Sequence, residues 1–371
     1  MRIIVNALSI GSLSGQHVVY GFLRPLTEWT LNQHEFVLLT YESEPPPDDL
    51  LRPNVRRVAV SDRLRPWWKR SVWENFELPK LIRREEGQVL LTASGAAVPR
   101  VRVPQVTLAQ NPWCFVSVAH RGQAERIKAA LQRRAYRNAL SQSAMMIYIS
   151  NYLRSLYEGL AEGKAPRSEI AYPGLNTNTL EAAEQLPKST RRDPMLVACV
   201  SAMAHWKGAD TVVEAIHLLR ERGLPAKLRL VGPWPDAAYE QRVRGKIDQF
   251  DLKDVVTVTG QVSKDELHRA YAEAQVYCLM SSCESFGIPA AESLAFGTPV
   301  VAGRDSAVSE VCAGAGLFGP AGDPSWTADA LGELLTREPT WSRSSEQALK
   351  SASRLRWENS AKAFLPMFSL A

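Results

Sequence analysis

Two glutamates, Glu284 and Glu292, stand with seven residues between them in the segment from Ser281 to Ala302. An apolar strand is expected to end at Met280, just before them. Gly287 lets backbone amides approach a ligand closely, and Pro289 suits the first turn of a helix. That helix start presents unpaired N–H groups and a positive dipole end, which suit phosphate or sugar oxygens. Glu284 falls in the loop and Glu292 about one turn into the helix, so both can face one ligand. An ionised carboxylate only accepts hydrogen bonds, and it can hold two neighbouring hydroxyls. The spacing therefore fits a polyhydroxyl ligand such as a sugar and a ribose.

Such a loop needs strands and helices to hold it. Short apolar runs at 2–7, 35–40, 55–60, 89–92, 106–108 and 145–149 read as strands. Between them, 18–31, 73–84 and 124–141 have helical spacing. The pattern weakens after Ser168, and the polar stretch 176–194, with Pro187 and Pro194, reads as a linker. A second series then begins. Its strands are expected at 195–200, 227–231, 255–258, 275–280 and 299–302, and its helices at 209–222, 239–250, 264–272 and 289–296. Strands alternating with helices imply parallel, doubly wound sheets. The α/β chain is thus expected to hold two Rossmann-like domains, 1–175 and 195–352, facing across a cleft, with a last segment 353–371. Ligands in such sheets bind beyond the carboxyl ends of the strands.

With Gly297-Thr298-Pro299-Val300-Val301 after it, the two-glutamate pattern around Phe286-Gly287-Ile288-Pro289 resembles retaining glycosyltransferases of family 4, which have the GT-B fold. The resemblance implies that Glu284 holds the donor sugar and Glu292 the ribose of its nucleotide. It implies that backbone amides around Ser285, Phe286, Gly287 and Ile288 approach the sugar and phosphates. Trp206-Lys207-Gly208 resembles the family's Lys-Gly step, which would set Lys207 as a point charge on the donor diphosphate. A Lys-Gly pair alone is ordinarily a solvated lysine. Gly232 falls where the family ends a strand at the nucleotide, and Gln261 and Val262 where backbone groups read the base. Arg356-Trp357-Glu358 resembles the family's last helix, which crosses back onto the first domain.

The chain also departs from the pattern. Ser201-Ala202 replaces the Gly-Arg step whose arginine also holds the diphosphate. Gln110-Asn111 stands where the family often has His-Asp, so these two and His120 are the expected acceptor contacts. Gln110 and Asn111 can hydrogen-bond but cannot act as a base. Ser14 and Gly15 follow the first strand, where small residues would meet the donor phosphates. His17 lies near them, and packing is its ordinary role.

Composition narrows the classes. Residues 1–180 hold 23 Lys+Arg and 15 Asp+Glu, a balance of +8, against −3 for the remainder. A basic half suggests an anionic partner. Two basic stretches stand out, Arg63–Trp73 with its three tryptophans and Arg121–Arg137 with six basic residues and one acidic. Basic residues beside aromatic rings suit an anionic membrane surface, while a solvated basic face over a core edge is the plainer alternative. No apolar run approaches the ~18 residues of a membrane-spanning helix, and the N-terminal run is too short for a signal-peptide core. The five cysteines lack zinc-site spacing and are expected to be reduced and buried. Gly11 and Gly15 do not make the dinucleotide fingerprint, and no GxxxxGK[ST] occurs. No nucleic-acid module is visible.

The leading expectation is a retaining, metal-independent transferase without a resident cofactor. It would move a hexose such as mannose or glucose from a nucleotide-diphosphate sugar to a glycan or lipid-linked glycan. A cytoplasmic location is expected, at the inner face of the cell membrane. The alternatives are a nucleotide-sugar epimerase, a phosphorylase, or a non-catalytic scaffold of the same fold.

Overall fold

The opening apolar run, Ile3-Ile4-Val5, sits fully buried in the middle of a seven-stranded parallel sheet. The computed structural model describes residues 1–11, 13–161, 163, 165–186 and 191–370. Two compact units emerge: Met1–Phe115 with Gly122–Gly174 and Leu355–Ala371, and Val116–Arg121 with Leu175–Arg354.

The first unit runs β1 (Arg2–Asn6), α1 (Leu13–Trp29), β2 (Glu35–Tyr41), β3 (Val55–Val60), α2 (Trp67–Phe76), α3 (Leu78–Arg84), β4 (Val89–Thr92) and β5 (Gln105–Ala109). It continues with α4 (Gln123–Gln142), β6 (Met145–Tyr148), α5 (Asn151–Glu158) and β7 (Arg167–Ile170). The strand order is β3-β2-β1-β4-β5-β6-β7. Ile4, Val37, Leu39 and Leu90 from the sheet meet Leu78, Leu81 and Ile82 of α3 in one core.

The second unit holds α6 (Thr177–Glu184), β8 (Asp193–Val200), α7 (Ala209–Glu221), β9 (Lys227–Val231), α8 (Ala237–Gln249), β10 (Val256–Gly260), α9 (Lys264–Glu273) and β11 (Ala274–Leu279). Then come α10 (Ile288–Ala295), β12 (Val300–Gly303), α11 (Ala307–Val311), β13 (Gly316–Gly319), α12 (Pro324–Thr336) and α13 (Glu338–Ala352). Its six strands lie in the order β10-β9-β8-β11-β12-β13, all pairs parallel. The last helix, α14 (Trp357–Lys362), packs in the first unit on α1. There the Trp357 ring fills the space that a Cβ on Gly21 would need, 2.4 Å away, so glycine is required at that crossing.

Both sheets are doubly wound, as the alternation implied. Three local differences have plain causes. Helix α1 begins at Leu13 rather than 18, so Ser14 and Gly15 are its first turn and not a loop. Polar residues there hid the start, because the apolar period opens only at Val18. The single helix expected at 73–84 is two, α2 and α3, broken before Pro79, which offers no N–H to continue α2. Strand β7 reads Arg-Ser-Glu-Ile, a half-exposed sheet edge without an apolar run. Within the polar stretch 176–194, Thr177–Glu184 forms α6.

In each sheet the chain reverses its direction of winding at one point. It lies between β1 and β4 in the first and between β8 and β11 in the second. At such points the loops diverge and leave a crevice for a ligand.

Candidate functional site

The loops after β8 and β11 flank the second sheet's crevice. After β8 the chain makes a tight turn at His205–Lys207 and enters α7 through Gly208. Gly208 has φ 72°, and a Cβ on it would stand 2.3 Å from the Met280 carbonyl oxygen at the end of β11. Only glycine tolerates both the conformation and the approach. The Ser282 amide then donates to the Trp206 carbonyl at 3.0 Å. Backbone contact therefore holds the two loops together.

That closeness brings Lys207 and Glu284 into contact, Nζ to Oε1 at 2.5 Å. The side chains are 19% and 10% exposed, so the pair is mostly withdrawn from water. Among the described residues no arginine joins the pair, and Ser201 points its hydroxyl at the Met203 sulfur. Cys283 beside it has its thiol pushed up to about 12 by burial, with Glu284 adding to the shift, which leaves it unreactive.

Gly287 adopts φ 85° and starts α10, with Pro289 in the first turn. Its backbone position is pressed by Val308, whose Cγ2 would be 2.5 Å from an added Cβ. Helix α10 carries Glu292 inward, where it is 9% exposed. The hydroxyl of the fully buried Tyr271 donates to its Oε2 at 3.0 Å. Burial raises the Glu292 carboxyl to about 7, against the opposing pull of the Tyr271 hydrogen bond and Lys264. Glu284 and Glu292 thus flank one helix start but engage different partners, Lys207 and Tyr271.

The remaining expected donor residues scatter more. Ser285 is half-buried and Phe286 buried in the same loop. Ile288 opens α10. Gly232 has a packing reason of its own, since a Cβ there would meet the Ser201 carbonyl oxygen at 1.9 Å. Gln261 is exposed just past β10 and Val262 is half-buried. Ser14 and Gly15 lie in the first turn of α1 in the other unit.

The three expected acceptor residues are not gathered in one unit. The Gln110 amide donates to the Ala93 carbonyl at 3.0 Å, and Asn111 accepts from the Trp113 amide at 2.9 Å. His120 is buried in the segment Val116–Arg121, which clusters with the second unit. There the Val118 carbonyl lies 3.1 Å from the His205 ring, and Arg121 pairs with Asp236. His17 packs edge-on against Trp357 at 4.9 Å, the ordinary role.

The first sheet's crevice holds a cluster that sequence reasoning missed. Asn6, closing β1, donates to Glu74 of α2 at 2.8 Å. Arg70 stands 3.9 Å from the same carboxylate and donates to the Leu8 carbonyl at 3.3 Å. Burial raises the Glu74 carboxyl above its ordinary range, with Asn6 and Arg70 opposing. The one available signal was a polar residue ending an apolar strand. All five cysteines are buried, and among the described residues none is joined in a disulfide. Among the described residues no three His, Cys, Asp or Glu side chains are grouped to hold a metal. No described helix is long and apolar enough to cross a membrane.

Comparison with known proteins bears on this geometry. The family model "Glycosyl transferases group 1" matches residues 182–354. A GDP-mannose-dependent alpha-(1-6)-phosphatidylinositol monomannoside mannosyltransferase of Mycobacterium tuberculosis is 31% identical over 205 residues, 52% of this chain and 52% of its own. A D-inositol 3-phosphate glycosyltransferase of Corynebacterium urealyticum is 28% identical over 226 residues, 57% of this chain and 53% of its own. The chain thus spans about half the length of the curated relatives it matches. Whole-chain likeness is structural. Sucrose-phosphate synthase from Thermosynechococcus elongatus superposes with TM-score 0.74 at 17% identity, over 100% of this chain and 98% of that one. WaaG, a glycosyltransferase involved in lipopolysaccharide biosynthesis, gives 0.69 at 14% identity, over 98% and 99%. Residues 182–354 match the glycosyl transferases group 1 family model, and the chain's two sheets have the GT-B fold.

Proposed function

We propose that the chain is a retaining glycosyltransferase. It moves a hexose such as mannose or glucose from a nucleotide-diphosphate sugar to a hydroxyl of a glycan or lipid-linked glycan. The observation that carries this reading is the Lys207–Glu284 pair at the winding reversal of the second sheet, inside the family-matched segment. Lys207 neutralises the diphosphate as it departs, and the free amides opening α10 add partial positive charge. Glu284 accepts from sugar hydroxyls and Glu292 from the ribose. The glycosidic bond to the donor phosphate breaks as the acceptor oxygen bonds to the same carbon. The acceptor proton passes to the departing phosphate, so no protein base is needed. No resident metal or cofactor takes part in this scheme.

The first unit is proposed to receive the acceptor at an anionic membrane, at the inner face of the cell. On α2 the side chains of Trp68, Val72 and Phe76 fall on one stripe and are each more than half exposed, with Trp67 beside them. Cations accompany the stripe: Lys69 lies 5.3 Å from the Trp68 ring centre and Arg100 lies 4.3 Å from that of Phe76. Helix α4 likewise exposes Ile127 and Leu131 among Arg126, Lys128 and Arg134. Connections β3–β4 and β5–β6 run the same way across the sheet, and right-handed crossovers place their helices on one face.

The test is thermal stabilisation by UDP-, GDP- and ADP-sugars, with Lys207→Ala and Glu292→Ala beside the native chain. A ligand bound only by the folded state raises the melting temperature. Stabilisation by one nucleotide class, lost in both variants, supports the reading and identifies the base. No stabilisation of the native chain at about 100 times a micromolar Kd overturns it in favour of a scaffold.

A further inference from the structure

Glu292 is held by a bracket that no motif announced. Tyr271 of α9 reaches its Oε2, and the backbone of Tyr271 is itself held, because Thr298 Oγ1 donates to the Tyr271 carbonyl at 2.8 Å. Tyr271 and Thr298 are both fully buried. One guanidinium ties this arrangement from below. Arg192 donates to Thr298 Oγ1 at 2.7 Å and to the Ala274 carbonyl at 2.6 Å, and it also bonds the Phe296 carbonyl.

Those two carbonyls have a meaning in the fold. Ala274 caps the C-terminus of α9, which carries Tyr271, and Phe296 caps the C-terminus of α10, which carries Glu292. Helix C-termini are the negative ends of their dipoles, so one cation satisfies both. Among the described residues no carboxylate pairs with Arg192. Its charge is spent on helix ends, and its Cζ lies 5.5 Å from the centre of the Trp341 ring, whose indole N–H donates to the Gln275 carbonyl at 2.8 Å. Burial lowers the guanidinium to about 10, which leaves it protonated at neutral pH.

We infer that Tyr271 and Arg192 are positioning residues for Glu292, fixing how its carboxylate meets the ribose of a bound nucleotide. This rests on the donor-site reading above. With Oε2 engaged by Tyr271, the carboxylate cannot swing, and Oε1 is left to accept from a ligand hydroxyl. Arg192 sets the separation of α9 and α10 and so the reach of Tyr271 to Glu292. Neither side chain touches the ligand.

The experiment measures Kd by calorimetry for UDP, GDP, ADP and their 2′-deoxy counterparts. The native chain is compared with Glu292→Ala, Tyr271→Phe, Thr298→Val, Arg192→Met and Arg192→Lys. The native chain is expected to prefer the ribonucleotide. Tyr271→Phe is expected to bind it about tenfold more weakly, the scale of one hydrogen bond to a charged group, and to lose most of the preference over the 2′-deoxy form. Arg192→Met should behave alike and Arg192→Lys should recover part of the preference. A merely structural role would lower the melting temperature and leave the ribose preference intact. Should Tyr271→Phe fail to fold, Thr298→Val reads the same bracket at equal size. A native ribose preference that survives in Tyr271→Phe or Thr298→Val, yet is lost in Glu292→Ala, overturns the positioning role and leaves the donor site standing. A native chain without ribose preference also overturns it. A native chain that binds none of UDP, GDP and ADP removes the donor reading itself.

Discussion

The Lys207 ammonium and the Glu284 carboxylate are in contact although 77 positions separate them in the chain. The pair is nearly buried, so each charge relies on the other. Removing one partner strands the other in a poor solvent. Lys207→Ala and Glu284→Ala are each expected to cost about 1–3 kcal/mol of stability, with the double variant costing less than their sum. Urea denaturation of all four proteins measures this. Fully additive losses would show that the contact carries no coupling. In turnover, each single change is expected to lower kcat/KM by about 10²–10³ if the pair stabilises the leaving diphosphate.

Gly208 offers a cleaner structural test. Its φ of 72° and the 2.3 Å approach to the Met280 carbonyl forbid a side chain on two grounds. Gly223 has a similar φ of 84°, but nothing lies within 4 Å of its would-be Cβ. Gly223→Ala should therefore cost only the backbone strain, roughly 1 kcal/mol. Gly208→Ala should cost about 2 kcal/mol more, by prising apart the loops that carry Lys207 and Glu284. Equal losses in thermal melts would place the tightness elsewhere.

Glu292 predicts a pH dependence with a definite sign. Its carboxyl titrates near 7 in the fold, chiefly because it is buried, against an ordinary 4.5. A raised acid favours the fold while protonated. That contribution is complete below pH 4.5 and is lost as pH rises through 7, at ~1.4 kcal/mol per unit between them. Glu292→Gln, which keeps the shape without the charge, should therefore gain stability over the native chain between pH 5 and 8. Nucleotide affinity should run the other way, rising through pH 7 in the native chain as the acceptor carboxylate ionises. In Glu292→Gln it should stay flat. A flat native profile would mean that Glu292 does not meet the nucleotide.

The exposed stripe on α2 predicts membrane behaviour. Replacing Trp68, Val72 and Phe76 by serine together should leave the fold intact, since all three are more than half exposed. Cosedimentation with vesicles of phosphatidylglycerol should fall about tenfold or more, given ~25 cal/mol for each Å² of apolar surface withdrawn from water. Added salt should weaken the native binding, because part of it comes from Lys69 and Arg100. Unchanged cosedimentation would assign the stripe to a protein partner instead.

Much of the fold was readable locally. The apolar runs that became β1, β2, β3 and β9 and the helical period of α7 follow from near-neighbour chemistry. So did the turn at Gly287 and the helix start at Pro289. Elements without an apolar pattern were lost: β7 at a sheet edge, the polar first turn of α1, and α2, whose apolar residues face outward.

The sequence by itself determined the doubly wound architecture and the segment around Glu284 and Glu292, because strand and helix periods and a glycine-proline helix start are local properties. Tertiary structure alone decided that Lys207 meets Glu284, that Tyr271 and Arg192 brace Glu292, and that Asn6, Arg70 and Glu74 share the first sheet's crevice. The physical reason is that these pairings join loops and helix ends from different crossovers. Their distances depend on strand order and on how the helices pack, and neither leaves a period in the chain.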